Sequence, residues 1–95
     1  MSDRSGRRVS IIRELAAAYL RSEANTSPLI TVLGAEVSAD ARHAMIYVSV
    51  FPESETDAAL AYLRRKRSDL RDYAKKHGGL KTLPFFDFAA QGTGV

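Results

Sequence analysis

The side chains with the most chemistry to offer are cationic. Arg64-Arg65-Lys66-Arg67 forms an unbroken basic run, and Arg71, Lys75 and Lys76 extend it over about three turns of helix. Lys81 follows shortly after, and Arg4, Arg7 and Arg8 stand near the start of the chain, just ahead of the first predicted helix, where they read as a flexible arm. A surface of this kind suits a polyanion, because each phosphate met by Lys or Arg releases condensed counterions. The same residues also fit a solvated helix face, with Asp69 and Asp72 supplying internal pairs. Four consecutive residues point in four directions on a helix, so one must face the core unless the helix bends there.

Other chemistry finds little to stand on. His43 and His77 lie far apart in sequence, and no His/Asp/Glu cluster has metal-ligand spacing. The chain has no cysteine, no nucleophile elbow and no phosphate loop. His43 reads as a half-exposed residue at a strand entry, and His77 as the cation that suits a helix C-terminus. Asp40 reads as the organiser of a turn, through bonds to the local backbone. No catalytic residue, cofactor or metal is expected. Phe85, Phe86 and Phe88 could stack on bases, but strand alternation puts Phe86 and Phe88 on one face, as core. Phe85 alone has an open assignment.

The elements that must carry these residues follow from apolar spacing. Val9, Ile12, Leu15, Ala16, Tyr19 and Leu20 make a helical stripe from about Val9 to Arg21. Asn25-Thr26-Ser27-Pro28 ends it. Leu29 to Val37 reads as a strand, Ser38 to Arg42 as a turn, and Met45 to Phe51 as a second strand paired with the first in a hairpin. Ser54 with Asp57 resembles a capping box. A second helical stretch then runs through Ala59, Leu60, Leu63, Leu70, Tyr73 and Ala74. Arg67 interrupts that stripe, which predicts two helices or one bent helix, broken near Lys66-Arg67-Ser68, with Ser68 available as a new cap. Gly78-Gly79 closes it, and Leu83 to Ala90 is a third strand that Pro84 assigns to an edge or a strand start.

The order is α-β-β-α-α-β, an α+β architecture with helices on one face of a three-stranded sheet. Ninety-five residues, 45% hydrophobic and 26% charged, make one domain over residues 1–95, with 1–6 and 91–95 expected to be flexible. No apolar run is long enough for a membrane span, and the first residues lack the apolar stretch of a secretory signal. A cytoplasmic monomer is the expectation. The net charge of +3 hides a division: residues 1–22 carry +3, residues 23–60 carry −5 and residues 61–95 carry +5. Two basic segments flank an acidic middle, as expected where one face meets a polyanion.

Leu29-Ile30-Thr31-Val32, Glu36-Val37-Ser38-Ala39-Asp40, Arg42-His43-Ala44 and Ile46-Tyr47-Val48-Ser49-Val50 resemble the hairpin signature of the ribosome-binding factor A family. Arg8-Val9, Leu70-Arg71, Leu80-Lys81, Leu83-Pro84 and Phe86-Asp87-Phe88 are similar in order and spacing, so the likeness covers about residues 7–88. The resemblance implies a type II KH-like fold, a non-catalytic protein, and binding to the small (30S) ribosomal subunit and its 16S rRNA during late maturation. On this reading the basic residues form the RNA surface: Arg64, Arg65, Lys66, Arg67, Arg71, Lys75, Lys76 and Lys81, with Arg7 and Arg8 beside them. The family bends its helix pair at an Ala-x-Gly motif, where this chain has Lys66-Arg67-Ser68. Ala39 stands in place of a common proline. The short end after Phe88 implies that any role of a longer tail is missing. Two other readings stand beside this one: a general single-stranded RNA module, and a protein-interaction domain using an edge strand.

Overall fold

The strand β2 (His43–Phe51) shows the period of its sequence directly. Ala44, Ile46, Val48 and Val50 are buried, while Met45, Tyr47 and Ser49 between them are partly exposed. A computed structural model describes residues 3–23, 29–77 and 83–91. Around β2 it places α1 (Asp3–Glu23), β1 (Leu29–Val37), a 3₁₀ turn (Glu53–Glu55), α2 (Thr56–Arg65), α3 (Arg67–His77) and β3 (Phe85–Ala90). The sheet order is β1-β2-β3, with β1 antiparallel and β3 parallel to β2. A parallel neighbour requires a crossover, which α2 and α3 supply. The order α-β-β-α-α-β is the one the sequence predicts.

All three helices cover one face of the sheet, α1 lying against β1 and α2 with α3 against β3. The core joins Ile12, Ala16, Tyr19 and Leu20 of α1 to the four inward residues of β2. Ala59 and Leu63 of α2, Leu70 and Ala74 of α3, and Phe86 and Phe88 of β3 complete it. No polar or charged residue is buried among the described residues. β1 reaches its register by a bulge: Val32 pairs with Val48 and Gly34 with Tyr47, leaving Leu33 unpaired and 42% exposed. Ile30 and Val32 before the bulge, and Ala35 and Val37 after it, therefore all pack on the core.

The hairpin turn is built by Ser38 and Asp40. Asp40 Oδ1 accepts the Ser38 hydroxyl at 2.7 Å and the Arg42 N–H at 3.0 Å, and Ser38 Oγ accepts the His43 N–H at 3.0 Å. These bonds, the Ser38 hydroxyl first, hold the Asp40 carboxyl below its usual pKa. Ala41 sits within this turn at a φ of 61°, the left-handed region. A Cβ there is strained and glycine is not. Ala41→Gly is expected to stabilise the protein by about 0.5–1 kcal/mol, read as a higher urea midpoint; an unchanged or lower midpoint would show that the turn carries no such strain.

Several boundaries differ from the sequence reading. α1 begins at Asp3, so Arg7 and Arg8 stand inside its first turns rather than on a free arm ahead of it. Arginine is a good helix former, and these turns have no apolar stripe in the sequence to announce them. Ser54 and Asp57 form no capping box: residues 53–55 close as a 3₁₀ turn, and the Thr56 hydroxyl bonds to the Glu53 carbonyl at 2.6 Å instead. Ser68 caps nothing, because α3 already starts at Arg67. β2 begins two residues early, at His43, and β3 begins after Pro84, which has no N–H to give. The Asn25–Pro28 connector, Gly78-Gly79 and Lys81 lie outside the described residues.

Candidate nucleic-acid interface

The basic run is split by a kink at Lys66. Its N–H bonds to the carbonyls of Leu63 at 3.0 Å and Tyr62 at 3.2 Å, closing α2, and its own carbonyl accepts the Leu70 N–H at 2.9 Å, opening α3. Lys66 has φ −95° and ψ 5°, a conformation open to any L residue. The bend needs no glycine, and the missing Ala-x-Gly does not remove it. Because the helix turns here, Leu63 and Leu70 both reach the core while none of Arg64, Arg65, Lys66 and Arg67 enters it.

The cations then divide by what they touch. Arg64 Nε lies 3.6 Å from Asp87 Oδ1, and its guanidinium donates to the Phe88 carbonyl at 3.3 Å. Arg67 donates to Asp87 Oδ1 at 3.4 Å and to the Arg64 carbonyl at 3.1 Å. Arg71 donates to the carbonyls of Pro84 at 3.4 Å and Leu83 at 3.3 Å, with its guanidinium 4.7 Å from the Phe85 ring centre. These three arginines reach over the free edge of β3 and bind the helix pair to it. Lys66 pairs with Asp69 at 3.6 Å and lies 5.7 Å from the Tyr62 ring centre.

Arg65, Lys75 and Lys76 are different. They are exposed and have no hydrogen bond or ion pair among the described residues. They lie on the same helix pair as the three latching arginines. Arg7 is exposed and Arg8 half-buried on α1. Val9, the next residue, shares with Arg67 a cleft of about 680 Å³ that also takes in Glu36, His43, Phe85 and Asp87.

Asp87 is the residue that sequence reasoning missed. Alternation with Phe86 and Phe88 set it on the face opposite the core, but the partners that meet it come from 20 and 23 residues earlier. On the outer sheet face the Tyr47 hydroxyl donates to Glu36 Oε1 at 2.6 Å, and this bond pushes the Tyr47 pKa up. No group of three His, Cys, Asp or Glu suited to a metal occurs among the described residues. No helix among them is long and apolar enough to cross a membrane.

The family model described as ribosome-binding factor A matches residues 4–93. The crystal structure of ribosome-binding factor A from Thermus thermophilus is similar, with a TM-score of 0.79 and 22% identity over 90% of this chain and 94% of that one. The solution structure of a Thermotoga maritima protein, a ribosome-binding factor A candidate, gives 0.75 and 25% over 97% and 92%. A Thermus thermophilus ribosome-binding factor A homology model, fitted to a map of its 30S complex, gives 0.71 and 24% over 83% and 86%. The search of curated proteins finds no match. These structures share the fold described above, the type II KH-like arrangement that the sequence resemblance implies.

Proposed function

The chain belongs to the ribosome-binding factor A family, and from that premise we propose that it binds the immature 30S subunit and its 16S rRNA during late maturation. Binding is stoichiometric: the protein holds an RNA segment, turns nothing over, and leaves when the subunit is complete. It acts in the cytoplasm as a monomer. The observation that carries this reading is the set of exposed cations without partners, Arg65, Lys75 and Lys76, on the kinked helix pair. The fitted 30S complex of the Thermus thermophilus factor supports the choice of subunit. Arg64, Lys66, Arg67 and Arg71 belong to the same proposed surface, with Arg7 and Arg8 beside it; Lys81, also assigned to it, lies outside the described residues.

Cosedimentation with immature and mature small subunits, over a range of salt, tests it. If about five phosphates are neutralised, log affinity will fall with log salt at a slope of about −3.5 to −4.5. Binding to neither particle, or an affinity independent of salt, would sink the proposal. Equal affinity for unrelated single strands would reduce it to a general RNA module.

A further inference from the structure

We propose that the cleft beside Phe85 holds one unpaired RNA base, stacked on the Phe85 ring; this rests on the RNA-binding reading above. Phe86 and Phe88 are 5% and 2% exposed, whereas Phe85, on the opposite face of β3, is 60% exposed. A lone exposed phenylalanine is ordinary. This one is held in place. The Arg71 guanidinium lies over the ring at 4.7 Å and is itself tied to the Leu83 and Pro84 carbonyls. His43, its register partner on β2, sets a second ring 6.1 Å away, tilted by 36°. The backbone is pinned as well, since the Phe85 N–H bonds to the Arg42 carbonyl at 2.8 Å. A ring ordered in advance loses little freedom when a flat partner settles on it.

The charges around the ring favour a base over a phosphate. Two carboxylates, Glu36 and Asp87, and one guanidinium, Arg67, line the cleft. A phosphate inside would face both carboxylates. A base instead offers amino groups that donate to a carboxylate, and carbonyl or ring-nitrogen acceptors for an arginine N–H. Asp87 Oδ1 is engaged by Arg64, Arg67 and the Phe88 N–H, and the carboxylate has lone pairs left for a further donor. The phosphates of the same strand would meet Arg42, the chain neighbour of the lining residue His43, whose side chain is 78% exposed and lies 4.0 Å from Asp40. An apolar peptide side chain could cover the ring, but it would make no use of the polar groups Glu36, Asp87 and Arg67 that line the same cleft.

The test compares the full chain with its Phe85→Leu and Phe85→Tyr variants. The probes are a short single-stranded RNA containing 2-aminopurine and a strand of the same length with an abasic site at that position. Stacking predicts about tenfold weaker binding of Phe85→Leu to the intact strand, unchanged binding to the abasic strand, and recovery in Phe85→Tyr. It also predicts quenching of 2-aminopurine fluorescence that Phe85→Leu loses. Equal affinity of wild type and Phe85→Leu for the intact strand overturns the stacking site and leaves the RNA reading standing. The same equality with weakened binding to small subunits also overturns it, and marks the ring as a protein contact. Failure of the wild-type chain to bind either strand or the immature subunit removes both.

Discussion

Phe88→Ala is expected to lower stability by about 3–5 kcal/mol, the cost of emptying a large, closed aromatic site. Phe88 is 2% exposed and heads the fully buried side chains by volume. It faces the core from β3, directly beside Ile46 of the central strand, which is wholly buried. Helices close this side of the sheet, so the void has no easy way to collapse. A domain of this length has total stability of about 5–14 kcal/mol, which makes the loss a large share of it. Urea unfolding measures the effect, and Phe85→Ala is its control. The two residues share a strand, but Phe85 is exposed and should cost under about 1 kcal/mol. Similar midpoints for the two variants would contradict the core described above.

Replacing Arg65, Lys75 and Lys76 together by glutamine will weaken small-subunit binding strongly and cost little stability. What is lost is only the favourable placing of these cations in the last turns of α2 and α3, about 0.3–1 kcal/mol each. None of the three has a partner among the described residues to lose. Removing three phosphate contacts makes the salt slope shallower by about 2, and at 0.15 M salt this amounts to roughly fiftyfold in affinity. The matching triple, Arg64, Arg67 and Arg71 to glutamine, behaves otherwise. Those side chains hold Asp87 and the Phe88, Pro84 and Leu83 carbonyls at the edge of β3. Each such partly exposed contact contributes up to about 1 kcal/mol, so this variant loses stability along with affinity. Unchanged binding by the first triple would move the RNA surface elsewhere and revive the reading of the basic run as a solvated face.

Much of this arrangement is legible in the residues. Ala44, Ile46, Val48 and Val50 alternate cleanly, and their strand is where the period puts it. The polar interruption at Arg67 marks the bend to within one residue. What the chain does not announce depends on distance or on exposure. The Asp87 contacts span 20 and 23 positions, and nothing local to Arg64 or Arg67 names their partner. The first turns of α1 carry no apolar stripe in the sequence. The kink forms without small residues, because its backbone angles exclude no side chain. Ser54 and Ser68 have the composition of caps, yet the 3₁₀ turn and the Lys66 junction satisfy those helix ends first. Leu33 is apolar and follows an inward neighbour, so composition cannot tell that it is the unpaired one.

Leu33 also decides where this chain can change length. Without it, Val32 would be followed by Gly34, and the inward set Ile30, Val32, Ala35 and Val37 would alternate as a regular strand with both halves still facing the core. Loss of Gly34 has the same result, since Leu33 then takes its place opposite Tyr47. Loss of a residue elsewhere in β1 would instead turn part of the strand inside out, or force the bulge to move. A deletion is therefore absorbed at one step of this strand, and shorter relatives of the hairpin should show their gap at Leu33 or Gly34.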